Sequence, residues 1–407
     1  LMLDRANEQH AFPVESSPGP DHDEHEILAS NPCGEQFLEE YEACNLGHIN
    51  LSTVVAKEPD YDHSIYDLDG IASEPTARDF REWHSQEAAL GYDGPRDDPD
   101  HIRKFLDQAL NWEDLNHRID LGLRFLENVC TMSDFPVPKI EETVRKNRKV
   151  GLGIMGLAQM FIQLGLKYGE PAANEVTEQL MVYINRRAKA KSHELAVEQK
   201  RGSFENHDES KYDDPVEHKE WFEHQTGENA EDWEDGYPIR NYNVTTIAPT
   251  GTTSQIARTS GGCEPIFSVV NLRSSSDDIN DGEQYVEMDD YFKEVVEANG
   301  IDSEEVEAEA TELMNNNEFH GIQSLSTVPD ALSELFITSK DLTAKQHAQV
   351  QCAAQKGVDS SISKTINAPH DATVDEAKDV LMYVYDNGGK GVTYYRDGSR
   401  SKQVKTT

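Results

Sequence analysis

The hydrophobic pattern divides the chain into short extended runs and longer helical ones, separated by polar stretches rich in Pro and Gly. Residues 1–27 are polar, with a weak helical start and the loop Ser16-Ser17-Pro18-Gly19-Pro20. Gly47 to Val55 predicts a short strand. From His101 to Cys130, Ile102, Phe105, Leu106 and Ala109, then Leu115, Ile119, Leu123 and Leu126, recur at three- and four-residue steps, which predicts helix. Asp134-Phe135-Pro136-Val137-Pro138 ends it. Leu157 to Leu166 predicts an apolar helix, and Pro171 to Gln199 a long one with Val176, Leu180, Met181 and Ile184 on one face. Asn243 to Ala248 and Ile266 to Asn271 predict strands, the first of them buried. Residues 274–317 are acidic and largely helical in pattern. Helices over Thr343–Gln355 and Val374–Asp386 and a strand over Gly391–Arg400 complete the series.

Two stretches lack this order, 57–100 and 205–236, and both predict acidic insertions. The second holds thirteen acids against two lysines between Glu205 and Asp235, with Tyr212, Trp221, Phe222 and Trp233 expected to pin it to the body. Charge sharpens the picture. The 407 residues carry 77 Asp+Glu against 37 Lys+Arg, a formal −40 spread over every region. Dispersed acids with few lysines predict a salt-adapted protein whose self-repulsion is screened in concentrated electrolyte. They argue against nucleic-acid binding, because no basic stripe exists to displace counterions from phosphates. Five cysteines without a CxxC pair argue against a zinc ribbon or a disulfide scaffold. With no signal peptide and no apolar run of spanning length, they predict a cytoplasmic protein, neither membrane-bound nor metal-holding.

Candidate chemistry gathers in Ser30-Asn31-Pro32-Cys33-Gly34-Glu35, followed by Ala43-Cys44-Asn45-Leu46-Gly47-His48-Ile49-Asn50-Leu51. Pro32 and Gly34 bend the backbone so that one sulfur stands at the tip of a tight loop, with Asn31 and Glu35 beside it. A thiol between a carboxamide and a carboxylate suits chemistry on a polyhydroxylated substrate. The alternative is a buried cysteine in an ordinary turn. A second candidate is Pro249-Thr250-Gly251-Thr252-Thr253-Ser254. There a strand, a Gly/Thr-rich turn and a helix start at Ser254 converge backbone N–H groups and hydroxyls on one point, an anion site suited to phosphate. The alternative there is simple helix capping. Val150-Gly151-Leu152-Gly153-Ile154-Met155-Gly156 is formally GxGxxG, but Arg145-Lys146-Asn147-Arg148-Lys149 before it is too basic for a buried strand. Close packing of a glycine-rich turn is therefore expected rather than a dinucleotide site. Tyr394-Tyr395 predicts strand core and rim, with a radical relay as the alternative.

Taken in order, N-P-C-G-E, A-C-N-L-G-H-I-N-L, V-G-L-G-I-M-G-L-A, T-T-I-A-P-T-G-T, E-P-I-F, I-S-K-T-I-N-A-P and Y-R-D-G-S-R resemble the catalytic large subunit of ribonucleotide reductase, most closely its adenosylcobalamin-dependent branch. A haloarchaeal character rests on charge alone. The resemblance implies part of a ten-stranded α/β barrel whose finger loop carries the radical cysteine. It implies that Cys33 is the thiyl radical taking the ribose 3′ hydrogen, and that Glu35 is the general base for the 3′-hydroxyl. Asn31 would hydrogen-bond the ribose hydroxyls, Cys44 would be one of two reducing thiols, and Pro249 to Thr253 would hold the phosphates. The implied function is reduction of ribonucleotides, as diphosphates, to deoxyribonucleotides with adenosylcobalamin and a thioredoxin-like or other dithiol reductant; a homodimer is a further expectation. Two departures stand out: no cysteine precedes Cys33 to pair with Cys44, and no cysteine pair lies near the C-terminus. They lead to the expectation that the chain, 1–407, is the C-terminal barrel portion of a larger reductase, completed by an N-terminal portion with the second thiol and the effector sites. The alternatives are a diiron-dependent large subunit and a non-catalytic nucleotide-binding or assembly subunit.

Overall fold

A computed structural model describes residues 1–14, 25–56, 79–274, 284–316, 318–319 and 321–399. The predicted Ser16-to-Pro20 loop, residues 57–78 of the first acidic stretch and Arg400 lie outside the described residues. The strands are β1 (Ala29–Ser30), β2 (Phe37–Leu38), β3 (Asn45–Asn50), β4 (Val150–Met155), β5 (Val270–Ser274), β6 (Gln284–Met288), β7 (Thr365–Ala368) and β8 (Thr393–Arg396). They pair two by two: β3 with β4 and β7 with β8 in parallel, β1 with β2 and β5 with β6 antiparallel.

Parallel bridges extend the β3–β4 pair. Leu152 of β4 pairs with Thr245, and Ile247 pairs with Ile362, so β3, β4, residues 243–248 and residues 360–363 lie side by side. No closed sheet forms among the described residues, where a ten-stranded barrel is expected. Side chains explain part of the broken ladder: Val244 N–H donates to Asp359 Oδ2 at 2.7 Å, and Asp359 N–H donates to Thr245 Oγ1 at 2.9 Å. These bonds take backbone groups that a regular ladder would use.

One expectation is overturned here. Residues 150–155 are a fully buried strand, β4, and not a turn. Of the basic residues ahead of it, Arg148 and Lys149 are buried because carboxylates meet them: Arg148 Nη2 lies 2.5 Å from Glu127 Oε1, and Lys149 Nζ lies 3.1 Å from Glu42 Oε2. Close packing of the glycines holds. A Cβ on Gly151 would stand 2.5 Å from Gln36 Nε2, and one on Gly153 would collide with the Thr246 carbonyl.

The predicted helix over 101–130 is two, Pro99–Ala109 and Trp112–Met132. It breaks where Asn111 Oδ1 accepts from Asp114 N–H at 3.0 Å and caps the second. The predicted strand at 47–55 is β3 followed by one 3₁₀ turn, Leu51–Thr53. The 266–271 strand shifts to β5, with Ile266 making only a bridge to Thr338; β6 stands in a region expected to be largely helical. Helices Pro171–Val197, Ala344–Gln355 and Val374–Asp386 match their periodicity, the last two starting at Thr343 and Thr373 capping boxes.

The main core lies between β3–β4 and helices Trp112–Met132 and Pro171–Val197, where Leu115, Ile119, Leu123, Val176, Leu180 and Ile184 are buried. Each such side chain contributes roughly 1.5–3 kcal/mol. Phe80 and Trp83, within the first acidic stretch, join this core. In the second, Tyr212 and Phe222 are buried in an aromatic cluster, with Trp221 and Trp233 packed against it.

Candidate active site

β1 and β2 form a two-stranded hairpin, Ala29 opposite Leu38 and Ser30 opposite Phe37, and its connection is residues 31–36. Asn31 builds that connection. Its Oδ1 accepts from Gly34 N–H and Gln36 N–H, both at 3.1 Å, and its backbone N–H donates to the Gln36 carbonyl at 3.0 Å. Gly34 takes φ +80°, which a side chain would strain. Ser30 Oγ donates to the Asn31 carbonyl at 3.0 Å. With the backbone held from within, Pro32 and Cys33 stand exposed at the tip.

The far limb of the hairpin lies on the parallel segments. The Glu35 carbonyl accepts from Thr246 Oγ1 at 2.7 Å and from Ser361 N–H at 2.9 Å. Phe37 N–H donates to Ser360 Oγ at 3.1 Å, and its carbonyl accepts from Lys149 Nζ. Glu35 is buried, and its Oε2 has no hydrogen-bond partner among the described residues. An orphaned buried carboxylate oxygen costs folding free energy, so its retention calls for a physical reason.

Cys44, just before β3, is half-buried and donates its S–H to the Asn45 carbonyl at 3.2 Å. Burial pushes its thiol well above the ordinary value; Lys149 opposes this, and the Glu42 and Glu35 charges add to it. Cys44 therefore lies within electrostatic reach of Glu35. Cys130, Cys263 and Cys352 are buried, each pushed up to about 12 by burial, as suits packing residues.

The Pro249–Thr253 turn differs from expectation in one respect: the helix Gly251–Ile256 starts three residues before Ser254. Thr250 adopts φ +53°, rare for a β-branched residue, and its Oγ1 accepts from Gly262 N–H at 2.8 Å. Gly251, Thr252 and Thr253 are exposed, while Thr250 is buried. Pro249 is three positions past Thr246, which holds Glu35, so the turn begins within about 11 Å of the hairpin seat. The turn follows the carboxyl end of the 243–248 segment, where α/β folds place their ligands, whereas the hairpin also meets Lys149, Ser360 and Ser361 at the amino ends of β4 and the 360–363 segment.

An open cleft of about 1770 Å³ adjoins the turn; Gly251, Ser254, Glu264, Thr365, Tyr394 and Tyr395 are among its walls, and no hairpin residue is. Glu264 is held there. Its Oε2 lies 2.7 Å from the buried Lys364 Nζ, and its Oε1 accepts from Thr365 N–H at 2.6 Å. His347 Nε2 donates to the Ser339 carbonyl at 3.1 Å, so its Nδ1 accepts from Lys364 at 3.1 Å; burial and the Lys364 charge push His347 down to about 3. Sequence reasoning gave no role to Gln36, His48, Glu264, Ser361 or Lys364. His48, Glu264 and Lys364 lie inside the motif blocks and Gln36 and Ser361 directly beside them, which was the available signal.

Among the described residues, no helix is long and apolar enough to cross a membrane.

Comparisons with known proteins bear on the same segments. A family model, "Ribonucleotide reductase, barrel domain", matches residues 1–395. The chain is 31% identical over 94% of its length to a vitamin B12-dependent ribonucleoside-diphosphate reductase of Thermoplasma acidophilum, covering 39% of that protein. It is 29% identical over 93% of its length to one of Mycobacterium tuberculosis, covering 42%. A ribonucleoside-diphosphate reductase subunit alpha of Chlamydia pneumoniae is 26% identical over 65% of the chain, which covers 26% of it. The chain thus spans about two-fifths of the length of the B12-dependent relatives, and the match takes in the hairpin, Cys44, β4, the Thr250 turn and the Tyr394–Tyr395 strand together. On that extent of agreement, this chain belongs to the ribonucleotide reductase barrel-domain family.

Proposed function

We propose that this chain is the barrel portion of a ribonucleotide reductase that converts ribonucleoside diphosphates to deoxyribonucleotides, with the 31–36 connection as its finger loop. The observation that carries the proposal is the hairpin itself, with Cys33 exposed at a tip that Asn31 holds and a buried, unpartnered Glu35 oxygen two residues away.

Cys33 takes the ribose 3′ hydrogen as a thiyl radical, because that C–H is too strong for a protein base to break. Glu35 accepts the 3′-hydroxyl proton. Asn31 spends its carboxamide oxygen on the loop, which leaves the NH₂ to meet the ribose hydroxyls. Loss of the 2′-hydroxyl as water needs two protons and two electrons, supplied as two thiols become one disulfide. Cys44 is one of these thiols, and its raised pKa keeps it protonated until it is used. Pro249 to Thr253 hold the phosphates.

The second thiol, the effector sites and the dithiol that resets Cys44 belong to further protein, an N-terminal portion and a thioredoxin-like or other reductant. A homodimer and a cytoplasmic, salt-adapted setting complete the proposal, with 57–100 and 205–236 as acidic insertions.

Adenosylcobalamin fits the residues present. The cleft exceeds the roughly 300–1,000 Å³ of ordinary small-molecule pockets, and Phe267, Tyr291, Tyr383 and Tyr395 are among its walls. When bound, that cofactor supplies the one-electron oxidation from which the cysteine radical derives. A diiron-dependent large subunit is the second reading, because Tyr394 and Tyr395 both line this cleft. Deoxyribonucleotide formation by the chain joined to its complementing portion separates the two. The proposal expects turnover only with adenosylcobalamin; turnover without it, but with a diiron partner, overturns the cofactor assignment.

A further inference from the structure

Beside the hairpin, three buried polar atoms on two side chains have no hydrogen-bond partner among the described residues. Gln36 is only 2% exposed, and both its Nε2 and its Oε1 lack a hydrogen-bond partner among the described residues. His48 Nε2 is likewise buried and unpartnered. The fold brings the two side chains to one face. His48 on β3 stands opposite Gly153 on β4, and a Cβ on Gly153 would lie 3.3 Å from His48 Cδ2. A Cβ on Gly151, two residues earlier, would lie 2.5 Å from Gln36 Nε2 and 2.9 Å from Leu46 Cδ2. The two-residue period of β3 puts Leu46 and His48 on this face, and Cys44 precedes them at the same parity.

Glycine at 151 and 153 thus clears room for a carboxamide and an imidazole that the described residues do not satisfy. Each orphaned group costs folding free energy, and such a cost persists where a ligand repays it. Burial holds the imidazole neutral, its pKa pushed down to about 4, so it offers a hydrogen bond and no charge. That suits an uncharged polar partner and not a phosphate.

We propose that Gln36 and His48 are contact residues for the nucleoside portion of the ribonucleotide, hydrogen-bonding its sugar hydroxyls or base edge on the β3–β4 side of the hairpin. The inference rests on the ribonucleotide reading above and extends it to two residues outside the Asn31–Cys33–Glu35–Cys44 set.

Binding to the full chain tests it, with CDP and inorganic diphosphate as the two probes, followed by calorimetry and by ¹⁵N imidazole spectra. CDP is expected to shift the His48 imidazole resonances, and diphosphate to leave them in place. Gln36→Leu and His48→Phe are each expected to weaken CDP binding about tenfold or more with diphosphate affinity unchanged, and His48→Gln to restore part of the loss. CDP binding that moves neither the His48 signals nor the variants' affinities overturns the inference while the ribonucleotide reading stands. If neither probe binds, that reading fails and this inference fails with it.

Discussion

Asn31 is the residue on which the hairpin tip depends. Two backbone N–H groups, of Gly34 and Gln36, end on its one carboxamide oxygen. Each bond contributes roughly 1 kcal/mol net. Asn31→Ala therefore loosens the loop by about 2 kcal/mol, with little effect on the global unfolding midpoint. Amide exchange at Gly34 and Gln36 should speed up some 30-fold, and activity of the assembled enzyme should fall at least as far. Asn31→Asp keeps the acceptor and removes the NH₂, so exchange should stay slow while activity still drops. Activity retained in Asn31→Asp would contradict a substrate-facing role for that amide.

At the scale of elements, the base of the hairpin is a buried ion network. Glu39, just past β2, meets His10 Nε2 and His25 Nδ1, each at 3.2 Å, and accepts from Asn147 Nδ2 at 2.9 Å. Burial pushes the Glu39 carboxyl up, but the bonds from His10 and His25 outweigh it and hold the group at about 2. A depressed carboxylate contributes stability that is present above its unfolded value of 4.5 and is lost as pH falls toward 2. Glu39→Gln should therefore destabilise the protein at pH 7 and lose that deficit, relative to the parent, on acidification through this window. A deficit that does not shrink would show that the ion pairing is not its source.

Elsewhere Glu127, fully buried, receives Arg148 and Arg240 Nε at 2.9 Å each, and Asn241 Nδ2 at 2.9 Å. Glu127→Ala leaves two arginines unpaired beside the start of β4 and should cost about 3–5 kcal/mol, read from the denaturant midpoint. The same pairings explain what the sequence hid. Arg148 and Lys149 looked too basic to precede a buried strand, because Glu127 and Glu42, the partners that make their burial tolerable, lie 21 and 107 residues away. The helices were legible because periodicity and caps are local. The Pro-Cys-Gly tip was legible for the same reason. The joining of residues 243–248 and 360–363 through Asp359 and Thr245 was not, since it depends on side chains that pair across more than a hundred positions.

For the whole molecule, a formal charge of −40 is the largest electrostatic fact. At 0.1 M salt its repulsion reaches about 10 Å, and at 1 M about 3 Å. Thermal stability should therefore rise from 0.1 to 1 M KCl; a flat or falling Tm would contradict a salt-adapted surface. The buried pairs at Glu127 and Glu42 should respond far less, since solvent ions do not reach them. The same architecture sets the catalytic account. Core helices fix β3 and β4, the parallel segments seat the hairpin through Thr246 and Ser361, and the hairpin presents Cys33. The central claim is that Cys33 carries the radical step. It is tested most directly by deoxyribonucleotide formation in the assembled, cobalamin-loaded enzyme, comparing the parent with Cys33→Ala at matched folding. Loss of all detectable product in the variant, with CDP binding unchanged, is the predicted result; product formed at a rate comparable to the parent would contradict it.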